Sequence, residues 1–137
     1  HATVNMSLAL ENHALGLAYL AFCPKTEQEI LLKTLGYLNM RKGSALSEKE
    51  ILLKHSLQRV TQQGFSERNP ETEPRSSNTI AVPIYGENRV MGTLGLTYFR
   101  SAYNSFEATQ KFVTTLQKAA KSVSKNAQEL VKLADFD

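Results

Sequence analysis

The sequence predicts an α+β domain in which helices come first, antiparallel strands follow and a long helix ends the chain. Three observations predict this class. Apolar residues recur at helical spacing before residue 64, alternate with polar residues over 77–97, and return to helical spacing after residue 104. This order differs from the strict strand–helix alternation of a parallel sheet. The length of 137 residues indicates one domain.

Three helices are predicted in the first part of the chain, each from a start or stop signal. Asn12 is expected to cap the first helix, and Pro24 is expected to end it. Capping-box patterns at 26–29 and 47–50 predict the starts of the second and third helices. Gly64 is expected to end the third helix. The apolar face of the first helix is predicted to comprise Leu15, Ala18, Tyr19 and Phe22.

A β-hairpin with one apolar face and one small, hydroxyl-bearing face is predicted over residues 77–97. A three-residue loop at 86–88 sets a register that pairs Thr79 with Gly95. Pro83 indicates that its strand lies at an edge or carries a bulge. The small polar face comprises Ser77, Thr79, Gly95 and Thr97. Because this face is too polar for a core and too uncharged for an ordinary surface, it suits the floor of a ligand pocket.

Short strands within residues 1–10 and 65–69 and a proline-rich turn at 70–74 complete the predicted elements before the hairpin. The final helix is predicted to start after an Asn104 cap, with Glu107 at its third position. Its apolar stripe is predicted to comprise Phe112, Leu116, Ala119, Ala120, Val123, Ala127 and Leu130.

The composition argues against several classes of protein. The net charge is +3, and the lysines after residue 110 are spread too widely for a nucleic-acid groove, which favours a solvated helix face. No apolar run approaches the ~20 residues of a transmembrane span. The single cysteine, Cys23, excludes an internal disulfide and fits a reducing environment, so we expect a cytoplasmic protein.

No enzyme, metal site or cofactor is predicted. The sequence has no H-E-x-x-H, no cysteine pair, no phosphate-binding glycine loop and no G-x-S-x-G motif. Cys23 and His13 are ten helical residues apart, which corresponds to about 15 Å along the axis and is too far for a nucleophile–base pair. We therefore expect no catalytic residue.

The start of the first helix is a candidate anion site. Leu15 occupies the position of a capping-box glutamate, so the amides of His13, Ala14 and Leu15 lack a partner nearby in sequence. Free amides and the positive end of the helix dipole attract anions, and Gly16 permits close approach. The alternative is that water satisfies these amides and that Gly16 is a packing contact.

Arg68 and Arg75 flank the turn before the hairpin. Arginine binds a carboxylate through two parallel hydrogen bonds, which makes each residue a candidate for ligand binding. The alternative for each is an ordinary solvated side chain.

Segments spread over nearly the whole chain resemble IclR-type transcriptional regulators. The run His-Ala-Leu-Gly-Leu-Ala-Tyr-Leu-Ala-Phe-Cys-Pro at 13–24 resembles the family's "hataLGkalLA" segment. Gln-Gly-Phe at 63–65 resembles its Gly–aromatic step, and the runs at 79–84 and 89–96 resemble two of its strands. The combination of Leu-Ala-Phe-Cys-Pro with Ile-Ala-Val-Pro is similar to the branch that regulates hydroxyphenylpropionate and related aromatic-acid catabolism.

The resemblance implies a GAF-like antiparallel sheet flanked by helices. Residues 1–137 would form the effector-binding domain, without the early part of the family's sensor domain and without its winged helix-turn-helix. It also implies a small-molecule effector, often an organic or aromatic acid. The family assembles as dimers or tetramers, and DNA would be bound only through a domain absent from this chain.

Carried over by position, the family's effector pocket falls on residues of the first helix and the hairpin. The backbone donors to a ligand carboxylate correspond to Ala14 and Leu15, next to Gly16. An acidic pocket position in some members aligns with Arg68, or with Asn69 if the alignment shifts by one. The small or polar pocket positions align with Ser77, Thr79, Gly95 and Thr97. An arginine at the acidic position would favour an anionic ligand.

Two other function classes stay open from the sequence. A GAF-like sensor of another signalling protein would be indicated by an upstream sequence that lacks a winged helix-turn-helix. A pure oligomerisation domain with a vestigial pocket would fill the polar face of the hairpin with bulky side chains. A fourth option, an enzyme, would be indicated by turnover that is lost on substitution of Cys23 or His13.

Overall fold

The computed structural model describes residues 13–36 and 48–135, and within these ranges it contains helices on both sides of an antiparallel sheet. The elements in chain order are α1 (Ala14–Phe22), α2 (Lys25–Thr34), α3 (Glu48–Gln63), β1 (Ser66–Glu67), β2 (Ser77–Tyr85), β3 (Val90–Phe99) and α4 (Ser105–Asp135). The sheet order is β1-β2-β3. The predicted α+β class with a long final helix is confirmed, whereas the strand predicted within residues 1–10 lies outside the described residues.

Helices α1 and α2 begin differently from the prediction. The N-cap of α1 is His13, in extended backbone, and its side chain makes no capping hydrogen bond. Asn12, the predicted cap, lies outside the described residues and precedes the N-cap position. The predicted capping box at 26–29 is wrong, because α2 begins at Lys25 directly after Pro24. Thr26 therefore lies inside the first turn, where its hydroxyl cannot cap the helix.

The predicted end of α3 and the predicted start of α4 are confirmed. Gly64 ends α3 with a φ of 88°, in the left-handed region that favours glycine, and its amide donates to the Val60 carbonyl at 2.8 Å. Asn104 and Glu107 form the predicted reciprocal capping box of α4. The Glu107 amide donates to Asn104 Oδ1 at 2.8 Å, and the Asn104 amide donates to Glu107 Oε1 at 3.2 Å. Ser47, the predicted cap of α3, lies outside the described residues.

The hairpin register differs from the prediction by two residues. Thr79 pairs with Thr97 instead of Gly95, and Gly95 pairs with Ala81. The turn spans four residues, with Asn88 at a φ of 67°, and the pairing has an irregularity beside it at Ile84/Tyr85. A longer turn and one bulged residue each shift the pairing by one position. Because the total shift is even, every side chain keeps its predicted face.

Pro83 lies where β2 has a partner on one side only. It pairs with Thr93 of β3, while β1 pairs with β2 over Ile80 and Ala81 alone. The missing proline N–H therefore costs no ladder hydrogen bond to a third strand. The sequence prediction of an edge or bulged position is confirmed.

The two faces of the sheet pack against different helices. On the apolar face, Ile80 and Val82 contact Leu116 and Ala120 of α4. On the small polar face, Ala14 and Ala18 of α1 pack against Ala81. Small side chains on both elements let the helix backbone approach the strands closely. Helix α1 also contributes to a second core with α2 and α3, which comprises Leu17, Leu20, Leu32, Leu53, Leu57 and Val60.

Only part of the predicted α4 stripe is covered. Leu116 and Ala120 are buried, whereas Val123 and Leu130 remain exposed beyond the sheet. None of the helices in the described ranges combines the length and the apolar character needed to cross a membrane.

Candidate functional site

The amino end of α1 points along the sheet toward a row of three polar residues, Arg68, Thr79 and Thr97, which we call the polar row. Ala14 packs on Ala81 in the middle of β2, while Phe22 stacks edge-on against Tyr85 near the hairpin turn, at 6.5 Å between ring centroids. The helix therefore runs along β2 toward the turn, and its amino end faces the opposite direction. The next residue of β2 on that face in this direction is Thr79.

Backbone amides at this end of α1 have no acceptor in the part of the chain that the structure describes. The first intrahelical bond runs from the Leu17 amide to the His13 carbonyl at 2.9 Å. Within residues 13–36 and 48–135 the donors without an acceptor are consequently the amides of Ala14, Leu15 and Gly16, one position later than predicted. Together with the helix dipole they make this end attractive to an anion.

Thr79 and Thr97 lie side by side across β2 and β3. Their hydroxyl oxygens are 2.9 Å apart, so one donates to the other, and both side chains reach solvent. Each hydroxyl can take part in more than one hydrogen bond, so the pair keeps capacity for a ligand oxygen. The corrected register makes these two residues direct neighbours.

Arg68 directly follows β1 and lies opposite Thr79, to whose carbonyl its amide donates at 3.0 Å. The side chain is only 8% exposed. Its Nη2 donates to the carbonyls of Pro74 and Ser77 and lies 3.3 Å from Ser77 Oγ. Within the described residues, Nε has no hydrogen-bond partner and no carboxylate forms an ion pair with Arg68. The site thus contains a buried positive charge that protein dipoles only partly satisfy.

Gly95 plays a different part from the one expected. A Cβ atom built on Gly95 would lie 2.9 Å from Leu15 Cδ2, so the Leu15 side chain occupies the space above this glycine. Leu15 is 46% exposed and lies off the buried face of α1 that the sequence predicted it to join. The glycine, predicted to form part of a pocket floor, therefore accommodates the Leu15 side chain of α1.

Ser66 is a positioning residue that the sequence analysis missed. It is fully buried, pairs with Ala81 and donates its hydroxyl hydrogen to the Ala14 carbonyl at 2.5 Å. This bond ties the first turn of α1 to the sheet. The available signal was the alternation within the predicted strand at 65–69, which places Ser66 on the same face as Arg68.

A polar cluster at the other end of α1 was also missed. Tyr19 donates to Glu27 Oε1 at 2.6 Å, and Arg89 of the hairpin turn donates to Glu27 Oε2 at 2.9 Å. The hydrogen bond to the Glu27 carboxylate raises the pKa of the Tyr19 phenol. The cluster joins α1 and α2 to Arg89 of the hairpin turn, 62 residues beyond Glu27, so no local pattern signals it.

The remaining candidate residues from the sequence are His13, Cys23 and Arg75. His13 and Cys23 are the two capping positions of α1, so they lie at opposite ends of the helix, and their predicted separation is confirmed. Burial raises the pKa of the Cys23 thiol, which lowers its reactivity. Arg75 is exposed and pairs with Glu71 and Glu73. No group of histidine, cysteine or acidic residues suited to a metal occurs in the described ranges.

Solved structures share this fold. A transcriptional regulator from Rhodococcus sp. RHA1 matches with a TM-score of 0.71 and 17% identity, covering 95% of this chain and 52% of that one. The C-terminal domain of the Escherichia coli transcriptional regulator KdgR matches with a TM-score of 0.66 and 27% identity, covering 85% and 69%. This chain therefore spans about half the length of the Rhodococcus regulator.

A double mutant of the inducer-binding domain of the PobR transcription factor from Acinetobacter, in complex with 3-hydroxybenzoic acid, is also similar. Its TM-score is 0.65 and its identity 15%, with 90% of this chain and 73% of that one covered. Residues 2–125 match the family described as the C-terminal domain of the bacterial transcriptional regulator IclR. This match covers most of the chain, which therefore belongs to the IclR C-terminal domain family of bacterial transcriptional regulators.

Proposed function

We propose that this domain binds a small organic carboxylate between the amino end of α1 and the polar row of the sheet. The observation that carries the proposal is the direction of α1, whose amides at Ala14 and Leu15 have no acceptor among the described residues and face toward Thr79 and Thr97. An anion located there would accept hydrogen bonds from amides and hydroxyls at once. In this proposal the absence of a side chain at Gly16 lets the anion approach the helix backbone closely. Arg68, Ser77 and Gly95 line the rest of the site.

An anionic effector is supported by the charge of the row. The Arg68 guanidinium is buried without a carboxylate partner among the described residues, and a bound anion nearby would offset its positive charge. An aromatic acid is the more specific proposal. It is supported by the local similarity to the aromatic-acid branch, and by the fold shared with the PobR domain that is in complex with 3-hydroxybenzoic acid.

The effector would act by changing the balance between two arrangements of an assembled regulator in the cytoplasm. DNA would be bound by a domain that is not part of this chain. A ligand shifts such a balance only as far as its affinities for the two arrangements differ. Amides at a helix end and hydroxyls on a neighbouring sheet suit this role, because a small displacement of α1 changes the distances to a shared carboxylate.

The charge requirement can be tested with Gly16→Asp. A thermal-shift screen of aliphatic and aromatic carboxylates first identifies the acid that stabilises the chain most. We expect the aspartate to weaken binding of that acid about tenfold or more, measured by calorimetry, because a fixed carboxylate repels the ligand. An acidic residue in the first turn favours the helix, so the melting temperature of the free chain should not fall.

Gly16→Asn is the matched control, because it adds nearly the same volume without charge. Its affinity for the acid should stay close to that of the unchanged chain. Equal losses of affinity in both variants would show that the added volume, and not the charge, weakens binding. That result would contradict an anion site at this helix end. Unchanged affinity in both variants would remove α1 from the site.

We also propose that the domain self-associates through the uncovered part of α4. Val123 and Leu130 are exposed, the latter by 66%, and with Ala127 they continue the stripe whose first half packs on the sheet. Their spacing of four and three residues is that of a helix–helix seam. Lys121 and Lys125 project from the opposite side, so two copies could meet along this seam without opposing charges.

Leu130→Asp tests this assembly face. We expect the variant to be predominantly monomeric at a concentration at which the unchanged chain is a dimer or larger, as measured by light scattering after size exclusion. A buried carboxylate at the seam would be strongly unfavourable. Lys132→Asp changes charge on the opposite face and should leave the mass unchanged. A monomeric unchanged chain, or the same mass in all three proteins, would contradict the proposal.

A further inference from the structure

A cavity lies at the hairpin end of the sheet, beside the middle of α4. It encloses about 500 Å³, within the range of small-molecule sites. Phe22 and Tyr85 form one wall, and Val82 and Ala120 contribute apolar surface. The Ser124 hydroxyl donates to the Tyr85 carbonyl, which ties α4 to the end of β2. We call this cavity the α4 groove.

The groove carries positive charge and no negative charge among its described lining residues. Lys121 and Lys125 lie one helical turn apart on α4 at its edge, and Gln117, Ser124 and Gln128 add neutral polar groups. Neither lysine forms an ion pair with any residue in the described ranges. Partial burial raises the pKa of the Tyr85 phenol, so this residue stays neutral near pH 7. The groove therefore complements an anion attached to an apolar body.

The aromatic wall indicates the shape of that body. Phe22 and Tyr85 meet edge to face, with an interplanar angle of 81°. A flat ring can pack beside such a pair and against Val82 and Ala120, while a carboxylate reaches the ammonium groups of Lys121 and Lys125. An aliphatic chain would fill the same volume without these aromatic contacts.

We propose that the α4 groove is a separate binding site for an aromatic carboxylate. Thr79 and Tyr85 are six strand residues apart, about 20 Å, so this site and the polar row near the amino end of α1 cannot share one small ligand. The proposal is independent of the effector site, because it rests on different residues. Occupation would bring the end of α1, the hairpin turn and α4 into contact with one ligand.

The test uses 2-naphthoate and its uncharged analogue 2-naphthamide as probes of the 137-residue chain. We expect naphthoate to shift the amide resonances of Gly64, Ala120 and Ser124 in a nitrogen–proton correlation spectrum. The double substitution Lys121→Met and Lys125→Met should weaken naphthoate binding about three- to tenfold and leave naphthamide binding unchanged. Methionine keeps much of the apolar stem of lysine, so packing is retained.

Two controls test whether naphthoate binds in the α4 groove itself. Lys118→Met with Lys132→Met removes the same charge from α4 outside the groove and should leave the naphthoate affinity within about twofold, because distant surface charges are screened. Thr79→Leu should leave the shifts at Gly64, Ala120 and Ser124 in place. The proposal is overturned if shifts are confined to Thr79 and Thr97, if no resonance moves, or if both lysine pairs have equal effects. It is also overturned if both probes bind equally well, or if a dimer of the free chain covers the groove.

Discussion

Leu20→Ala is expected to lower the free energy of unfolding by about 2–5 kcal/mol, the range for a buried leucine replaced by alanine. Leu20 is fully buried in α1 and packs in the core that α1 forms with α2 and α3. The loss combines the removed apolar surface with the cavity left behind. Because α1 packs on α3 on one side and on the sheet on the other, the substitution weakens the link between the two halves of the domain.

Chemical denaturation measures this effect, with unfolding followed by circular dichroism. Leu52→Ala on α3 is the control, because Leu52 is 62% exposed and should change the free energy of unfolding by no more than about 0.5 kcal/mol. The dependence of the free energy on denaturant concentration should be similar in all three proteins. A Leu20→Ala loss no larger than that of Leu52→Ala would contradict the packing of α1 against α3.

Thr79→Leu is expected to weaken binding of the best carboxylate from the screen by about tenfold to a hundredfold. Thr79 contacts Thr97 and reaches solvent, so a leucine removes a hydroxyl and fills the space in front of the row. Loss of a hydrogen bond to a charged ligand group accounts for a change of this size. Its partly exposed position means that the fold should tolerate the substitution, and the melting temperature of the free chain tests that point.

Thr115→Leu on the exposed side of α4 is the matched control and should bind the acid like the unchanged chain. Calorimetry gives the affinity, and a thermal-shift response to the acid gives an independent measure. A response that survives Thr79→Leu in full would place the effector elsewhere, even if Gly16→Asp remained weak. Loss of response in both threonine variants would point to a general effect of added leucine.

Helix ends were predictable where the signal is local. Asn104 and Glu107 lie within one turn and satisfy each other's amides, and Gly64 adopts a backbone conformation that few residues tolerate. The capping box at 26–29 failed because Pro24 starts α2 earlier, and two start signals within three residues compete. The sequence patterns alone do not indicate which of two adjacent start signals a helix uses.

The faces of the hairpin were predictable from the sequence, whereas its register was not. Alternation predicted the two faces of the hairpin, and Pro83 predicted an edge or bulged position in its strand. The pairing of residues depended on the turn and the bulge, which involve Asn88 and Tyr85. A two-residue error in register left the faces intact because side chains alternate with a period of two. The same error concealed that Thr79 and Thr97 are direct partners.

The sequence by itself determined the α+β class, the small polar face of the hairpin and the family, because these depend on periodicity and on local runs of residues. Only the tertiary structure decided that α1 packs on Ala81 of this face, that Leu15 fills the space over Gly95, and that Arg68 is buried without a carboxylate partner among the described residues. The reason is physical: these features arise from contacts between residues more than fifty positions apart along the chain, or from the folding of a turn around one side chain, and neither leaves a local pattern.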